Sequence, residues 1–333
     1  MGSQDAVIAV DVGGTEIKAA LCDPDGSALA RLRRPTPVGD GGTGAVAAVC
    51  ELIDELAGKP ALQADRRVRG VGLILPGVVD AAAGIARYSV NIGWRELAIR
   101  ELVSNRVGLP VAIEHDVRAA GLAEASLGAA RDVDEALFLA IGTGIAGASI
   151  VNGRLISGSS NLAGEIGHLP VFPDGETCAC GQQGCTETYA SAAALSRRYQ
   201  ALNALNAPSA PSAPNTVSDR LADPPAARLG AEQVLARAEA GDPIASQVLD
   251  EALTALSRAL ICYIMLLDPA LIVIGGGLSL AGDRLLQPLA AAIEAGLRWR
   301  PAPPLVTARF GAESGRVGAA LVGWRAYGEQ PGR

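Results

Sequence analysis

"AVIAVDVGGTEIKAALCDPDG" (residues 6–26) reads as a buried strand, a glycine turn, a second strand and an Asp-Pro-Asp-Gly turn. The pattern returns at "EALFLAIGTGIAGASIVNGRLISG" (135–158), as apolar strand, glycine-rich turn, apolar strand, Asn-Gly turn and strand. This weak internal repeat predicts two related half-domains, each built around a hairpin with a turn the size of a phosphate. A third apolar strand, in "PALIVIGGGLSLAG" (269–282), ends in three glycines before a helix. Glycine has no Cβ, so its backbone N–H can approach phosphate oxygens closely, and a hydroxyl such as that of Thr15 adds a donor. One such loop alone reads more simply as a tight turn. Three of them, Gly13-Gly14-Thr15, Gly142-Thr143-Gly144 and Gly275-Gly276-Gly277, favour a nucleotide.

Between these strands the apolar spacing predicts helices. One covers "AVAAVCELIDELAG" (45–58), another begins near Asp116 after the short strand in "LPVAIEHDVRAAGLAEASLG" (109–128), and a third lies in "AEQVLARAEAG" (231–241). Helices also cover 245–267 and close the chain at 313–328, and "VRGVGLILPGVVD" (68–80) is a strand running into a Pro-Gly turn. Strands mixed with helices throughout make the class α/β. The stretch 203–229, rich in Ala, Pro and Ser, reads as a mobile insertion.

With 333 residues, 49% apolar and 19% charged, the chain should be soluble and globular, with one large or two medium domains. A net charge of −7 without a lysine/arginine block argues against a nucleic-acid surface. No basic leader precedes an apolar run, and the longest such run, "ALICYIMLL" (259–267), stops at Asp268-Pro269, too short to span a bilayer. The expectation is a cytoplasmic protein without membrane contact, in which structural disulfides are out of place.

Of six cysteines, Cys22, Cys50 and Cys262 stand singly in apolar surroundings and are expected to be buried packing residues. The other three lie in "GEIGHLPVFPDGETCACGQQGC" (164–185), where Cys178, Cys180 and Cys185 follow His168. A Cys3His set suits tetrahedral Zn²⁺ with no open position, hence a structural site. The C-x-C-x4-C spacing is not the common C-x2-C, so the pattern alone leaves a redox pair as a rival.

"GTGIAG" (142–147) fits G-x-G-x-x-G, but strand rather than helix follows, which excludes a Rossmann site, and no P-loop sequence exists. A hairpin phosphate loop used twice is the pattern of the actin/hexokinase/heat-shock ATPase superfamily. Within it, "DVGGTEIKAAL" (11–21) resembles the first phosphate motif of the ROK family, named for repressors, open reading frames and sugar kinases. "GTGIAGASIVNGRLISGSSNLAGEIGH" (142–168) resembles its second phosphate motif and sugar signature, "CACGQQGCTETYAS" (178–191) its cysteine signature, and "VIGGGLS" (273–279) its adenosine motif.

The resemblance implies the actin/hexokinase-type (ribonuclease H-like) fold, with two lobes and a cleft between them. Residues 1–117 with 313–333 would form the small lobe, and 118–312 the large one. It implies an ATP-dependent hexose kinase using Mg²⁺, with glucose phosphorylated on its 6-hydroxyl. Alternatives are an N-acetylglucosamine or N-acetylmannosamine kinase, polyphosphate as donor, or a non-catalytic sugar sensor. The first strand is reached by about Val7, which leaves no room for the helix-turn-helix of the family's repressors. A homodimer or homotetramer is expected from the family.

Residue by residue, the resemblance gives Asp116 as the general base, a position that on its own reads equally as a helix cap. His115 replaces the family's usual asparagine, a sugar contact, which makes it a candidate for sugar specificity. Asp11 corresponds to the metal-side carboxylate, with Lys18 in the same motif. Asn91, Glu165, His168 and Glu187 correspond to sugar ligands, and Gly77 to a backbone contact. Cys178, Cys180, Cys185 and His168 correspond to the zinc ligands, so that the metal would pin Glu165 and Glu187.

Overall fold

Strand β1 (Asp5–Val12) is apolar on both sides because both of its faces are covered. In the computed structural model, which describes residues 5–58, 66–206 and 229–328, Ala6, Ile8, Val10 and Val12 enter one core and Val7 and Ala9 the opposite one. The period of two along a strand produces this division. β2 (Glu16–Cys22) and β3 (Ala28–Pro35) continue from β1 as an antiparallel meander. Helix α1 (Thr43–Ala57) then leads to β4 (Arg67–Leu75), which pairs parallel with β1. A small antiparallel sheet follows, made of β5 (Val78–Asp80), β6 (Ile85–Tyr88) and β7 (Arg95–Leu97). Helix α2 (Ile99–Val107) returns the chain to β8 (Val111–His115), and α3 (Asp116–Leu127) starts directly at its end. The main sheet has the order β3-β2-β1-β4-β8.

The second hairpin is β9 (Ala136–Ile141) and β10 (Ile145–Val151), continued by β11 (Arg154–Leu155). Helices α4 (Thr186–Ala190), α5 (Ala192–Asn206), α6 (Ala231–Glu239) and α7 (Pro243–Leu267) follow, then β12 (Leu271–Gly275), α8 (Asp283–Gly296), β13 (Leu305–Thr307) and α9 (Ser314–Gly328). α7 begins where Asp242 accepts from the N–H groups of Ile244 and Ala245, with Pro243 preset for the first turn. The second sheet has the order β11-β10-β9-β12-β13, so the two strand–turn–strand repeats each found a five-stranded sheet.

The chain divides into two compact units, one of residues 1–138, 147–164 and 308–333, the other of 139–146 and 165–307. In the first unit α9 lies flush against the main sheet. A Cβ at Gly72 of β4 would stand 1.9 Å from the Ala319 carbonyl oxygen, so only glycine permits that approach.

Three details differ from the sequence reading. A 3₁₀ turn over Gly277–Ala281 separates the triple glycine from α8, because Gly276 and Gly282 hold left-handed φ values that interrupt a helix. Residues 203–206 of the expected insertion complete α5, and 207–228 lie outside the described residues. Cys22 and Cys50 are buried, but Cys262 is exposed. It lies on the outer side of α7, where the apolar run continues on to exposed Met265 and Leu266. Among the described residues no helix is long and apolar enough to cross a membrane.

Candidate active site

In the first unit Asp116 opens α3 and Asp11 sits near the end of β1. Desolvation lifts the Asp116 carboxyl to about 6, although 42% of its side chain is exposed. Burial likewise lifts Asp11 to about 6, and the charge of Asp116 adds to the effect while Lys18 opposes it. Lys18 faces Asp11 directly across the β1–β2 ladder. His115 Nε2 lies 3.2 Å from Asp116 Oδ1, and its side chain is only 13% exposed. The first glycine turn is closed by Gly13 N–H donating to Glu16 O and by the Thr36 hydroxyl donating to Gly13 O at 2.7 Å. Asn91 packs against this turn, since a Cβ at Gly14 would come within 3.2 Å of Asn91 Cβ. Gly77 has φ +89°, and a side chain there would meet the Tyr88 carbonyl at 2.2 Å. Its backbone geometry is therefore reserved for glycine.

Residues that the sequence reading did not single out hold Asp116 in place. Arg118, 2% exposed, donates to Glu114 Oε1, Asn161 O and Val79 O. Glu114 Oε1 also accepts the His115 backbone N–H at 2.8 Å. Glu124, fully buried on α3, accepts from the N–H groups of Ala129, Arg309 and Phe310 and from the Ser314 hydroxyl. The i, i+4 spacing of Glu114 and Arg118 was a readable signal. Glu124 gave none, because three of its four partners lie 185 or more residues away.

In the second unit the turn Gly142–Gly144 is closed by Gly142 N–H to Gly144 O, and Gly142 O accepts from Ala192 N–H. Glu187 reaches this hairpin, with Oε2 3.5 Å from Ile145 N. Gly275 closes β12, and Gly276 and Gly277 begin the turn beyond it. Glu165, His168 and Glu187 do come together. His168 Nδ1 is 3.6 Å from Glu187 Oε1, and its Nε2 is 3.9 Å from Glu165 Oε2.

The ligand atoms of His168, Cys178, Cys180 and Cys185 all lie within 4.8 Å of one another. Cys180 Sγ is 3.6 Å from Cys185 Sγ, and Cys178 Sγ is 3.8 Å from His168 Nδ1. Tetrahedral zinc with bonds of about 2.0–2.3 Å needs ligand separations of roughly 3.5–3.8 Å, which these two pairs match, and the Cys3His donor set suits a four-coordinate ion. Hydrogen bonds from Gln182 draw the Cys180 thiol down to about 6, while burial pushes Cys185 up to about 12. The cysteine loop is moored by Glu176, which pairs with Arg197 and Arg198 and whose N–H donates to the Tyr189 hydroxyl. Arg198 is in turn paired with Glu251 of α7.

Residues 7–325 match the ROK family. The chain belongs to that family. It is 34% identical over 291 residues to a glucokinase of Halalkalibacterium halodurans, covering 86% of this chain and 85% of that one. It is 31% identical over 330 residues to the N-acetylgalactosamine kinase AgaK of Shewanella sp. strain ANA-3, covering 94% of this chain and 95% of that one. Among solved structures it resembles the ROK family glucokinase of Streptomyces griseus in complex with glucose and AMPPNP. There the TM-score is 0.76 and the identity 31%, covering 96% of this chain and 99% of that one. The ROK assignment carries the α/β actin/hexokinase-type fold, and the paired strand–turn–strand sheets agree with it.

Proposed function

We propose that the protein is an ATP-dependent hexose kinase that phosphorylates the 6-hydroxyl of glucose. Asp116 carries the reading. It is a carboxyl at the start of α3, lifted to about 6 by desolvation, and its own charge helps to raise a second carboxyl, that of Asp11. A base with that pKa is ionised at neutral pH yet accepts a proton readily. It takes the hydroxyl proton as the sugar oxygen attacks the γ-phosphorus and the bond to ADP breaks. His115, Asn91, Glu165, His168 and Glu187 bind sugar hydroxyls, with Gly77 offering backbone. The three glycine loops, with Thr15 and Lys18, hold the nucleotide. Asp11 would hold Mg²⁺ through water, and the ion would neutralise phosphate charge when bound.

His168, Cys178, Cys180 and Cys185 hold structural Zn²⁺ in this reading. His168 would offer Nδ1, the nitrogen that faces Cys178, while its Nε2 faces Glu165. Held there, zinc would fix the rotamers of groups that bind substrate rather than take part in the reaction.

The 31% identity to an N-acetylgalactosamine kinase favours N-acetylhexosamines as the second substrate class. A coupled ADP-release assay over glucose, mannose, N-acetylglucosamine, N-acetylmannosamine and N-acetylgalactosamine tests the proposal. Glucose should give the highest kcat/KM. A parallel series with polyphosphate, read as sugar phosphate formed, tests the donor. Sugar binding without turnover of any hexose would overturn the kinase reading in favour of a sensor.

A further inference from the structure

We propose that His115 positions the catalytic base, and that Asp116 Oδ2 is the oxygen that receives the substrate proton. The inference rests on the kinase reading and adds the division of labour within its base. Asp116 Oδ1 has two neighbours capable of donation. The Val117 backbone N–H donates to it at 2.7 Å, and His115 Nε2 stands 3.2 Å away. An ionised carboxylate only accepts, so an attractive contact requires the proton on Nε2. The Val117 hydrogen bond and the imidazole beside it both fall on Oδ1, which leaves Oδ2 as the more basic oxygen.

The main chain that carries the ring is fixed. The His115 N–H donates to Glu114 Oε1, the same oxygen that receives Arg118 Nε. His115 also ends β8 in register with Leu75 of β4. With 13% exposure the imidazole has little freedom to leave Asp116. A pure sugar contact would need neither this clamp nor a ring nitrogen turned onto the adjacent carboxylate.

Two variants separate the roles. His115→Phe keeps the ring size and removes the donor, while His115→Gln places an amide N–H at a similar reach. In steady-state assays with ATP–Mg²⁺ and the best hexose of the panel, His115→Phe should lower kcat at saturating sugar by about ten- to a hundredfold, over and above the rise in sugar KM from the hydroxyl contact it also removes. His115→Gln should recover most of the lost kcat. A raised KM with unchanged kcat in either variant, equal loss in both, or wild-type rates in both would overturn the proposal.

A measurement on the unaltered protein does not depend on the variants folding. The chain has only two histidines, so long-range ¹H–¹⁵N spectra resolve each ring. At pH 8 the proton of His115 should sit on Nε2, and an unprotonated Nε2 would overturn the proposal. If the wild-type protein turns over no hexose at all, the kinase reading falls and this inference with it. An active enzyme indifferent to His115→Phe removes this inference alone.

Discussion

The corner around Asp116 and the loop around Cys180 are both small polar clusters, but they are held in different ways. Asp116 sits where β8 turns into α3, and its supports, Arg118 and Glu124, are buried on a helix packed into a continuous apolar core. The cysteine loop runs through short turns, leaves Cys180 exposed, and is tied to α5 and α7 by charged pairs at its margin. The first cluster is preorganised by backbone and core packing. The second is held by turns and marginal ion pairs, and in the proposed reading a tetrahedral ion would cross-link its centre. In that reading, chemistry is placed on the rigid element, and substrate recognition is shared with an element whose rigidity would depend on a metal ion.

The comparison can be broken at four points. Asp116→Asn should lower kcat by about a hundred- to ten-thousandfold. It should leave the thermal midpoint unchanged or slightly raised, since it removes a carboxyl that the fold already disfavours in its charged form. ADP release and thermal unfolding read the two effects. Cys180→Ser should reduce bound zinc from about one per chain to near none, and lower the unfolding midpoint and hexose affinity together. Elemental analysis with calorimetry checks this, and hexose affinity retained in zinc-free protein would uncouple the loop from the sugar.

Gly72→Ala acts on the other side of the comparison. Its methyl must displace α9, so stability should fall by about 1–3 kcal/mol or more, measured by denaturant unfolding, while bound zinc stays constant. The smallest effect is that of pH. Because the base works ionised, kcat/KM should fall about tenfold per unit below pH 6 and level off above it. The same raised pKa values run the opposite way for stability. Asp11 and Asp116 bind protons more tightly in the folded chain, so their favourable contribution is present below about pH 4 and lost as pH rises through 6. A pH–rate profile flat between 5 and 8 would separate Asp116 from the rate.

Local features were legible in the sequence. The two hairpins, the start of α3 at Asp116 and the Cys3His set all follow from spacing within twenty or so residues, and the structure brings each together. Long-range features were not legible. Glu124 looks like any helical glutamate until Arg309, Phe310 and Ser314 arrive beside it. Gly72 looks like an ordinary strand glycine until α9 presses on it. Cys262 misled for the reverse reason: an apolar run suggested burial, and the outer side of α7 stays in solvent. A helix's sequence shows which residues share a side, but not whether anything covers it.

The arrival of α9 on the main sheet also bears on how the chain folds during synthesis. One side of β1 and β4 finds cover in Val317–Trp324, far downstream of both strands at the other end of the sequence. Until that segment leaves the ribosome, Val7, Ala9 and Ile74 face a half-built layer, with the Glu124 carboxylate still short of three of its donors. The second unit can close earlier, since all its residues precede position 308. The first unit therefore begins folding first and finishes last, and its exposed β1–β4 side is the surface a nascent-chain chaperone would have to shield.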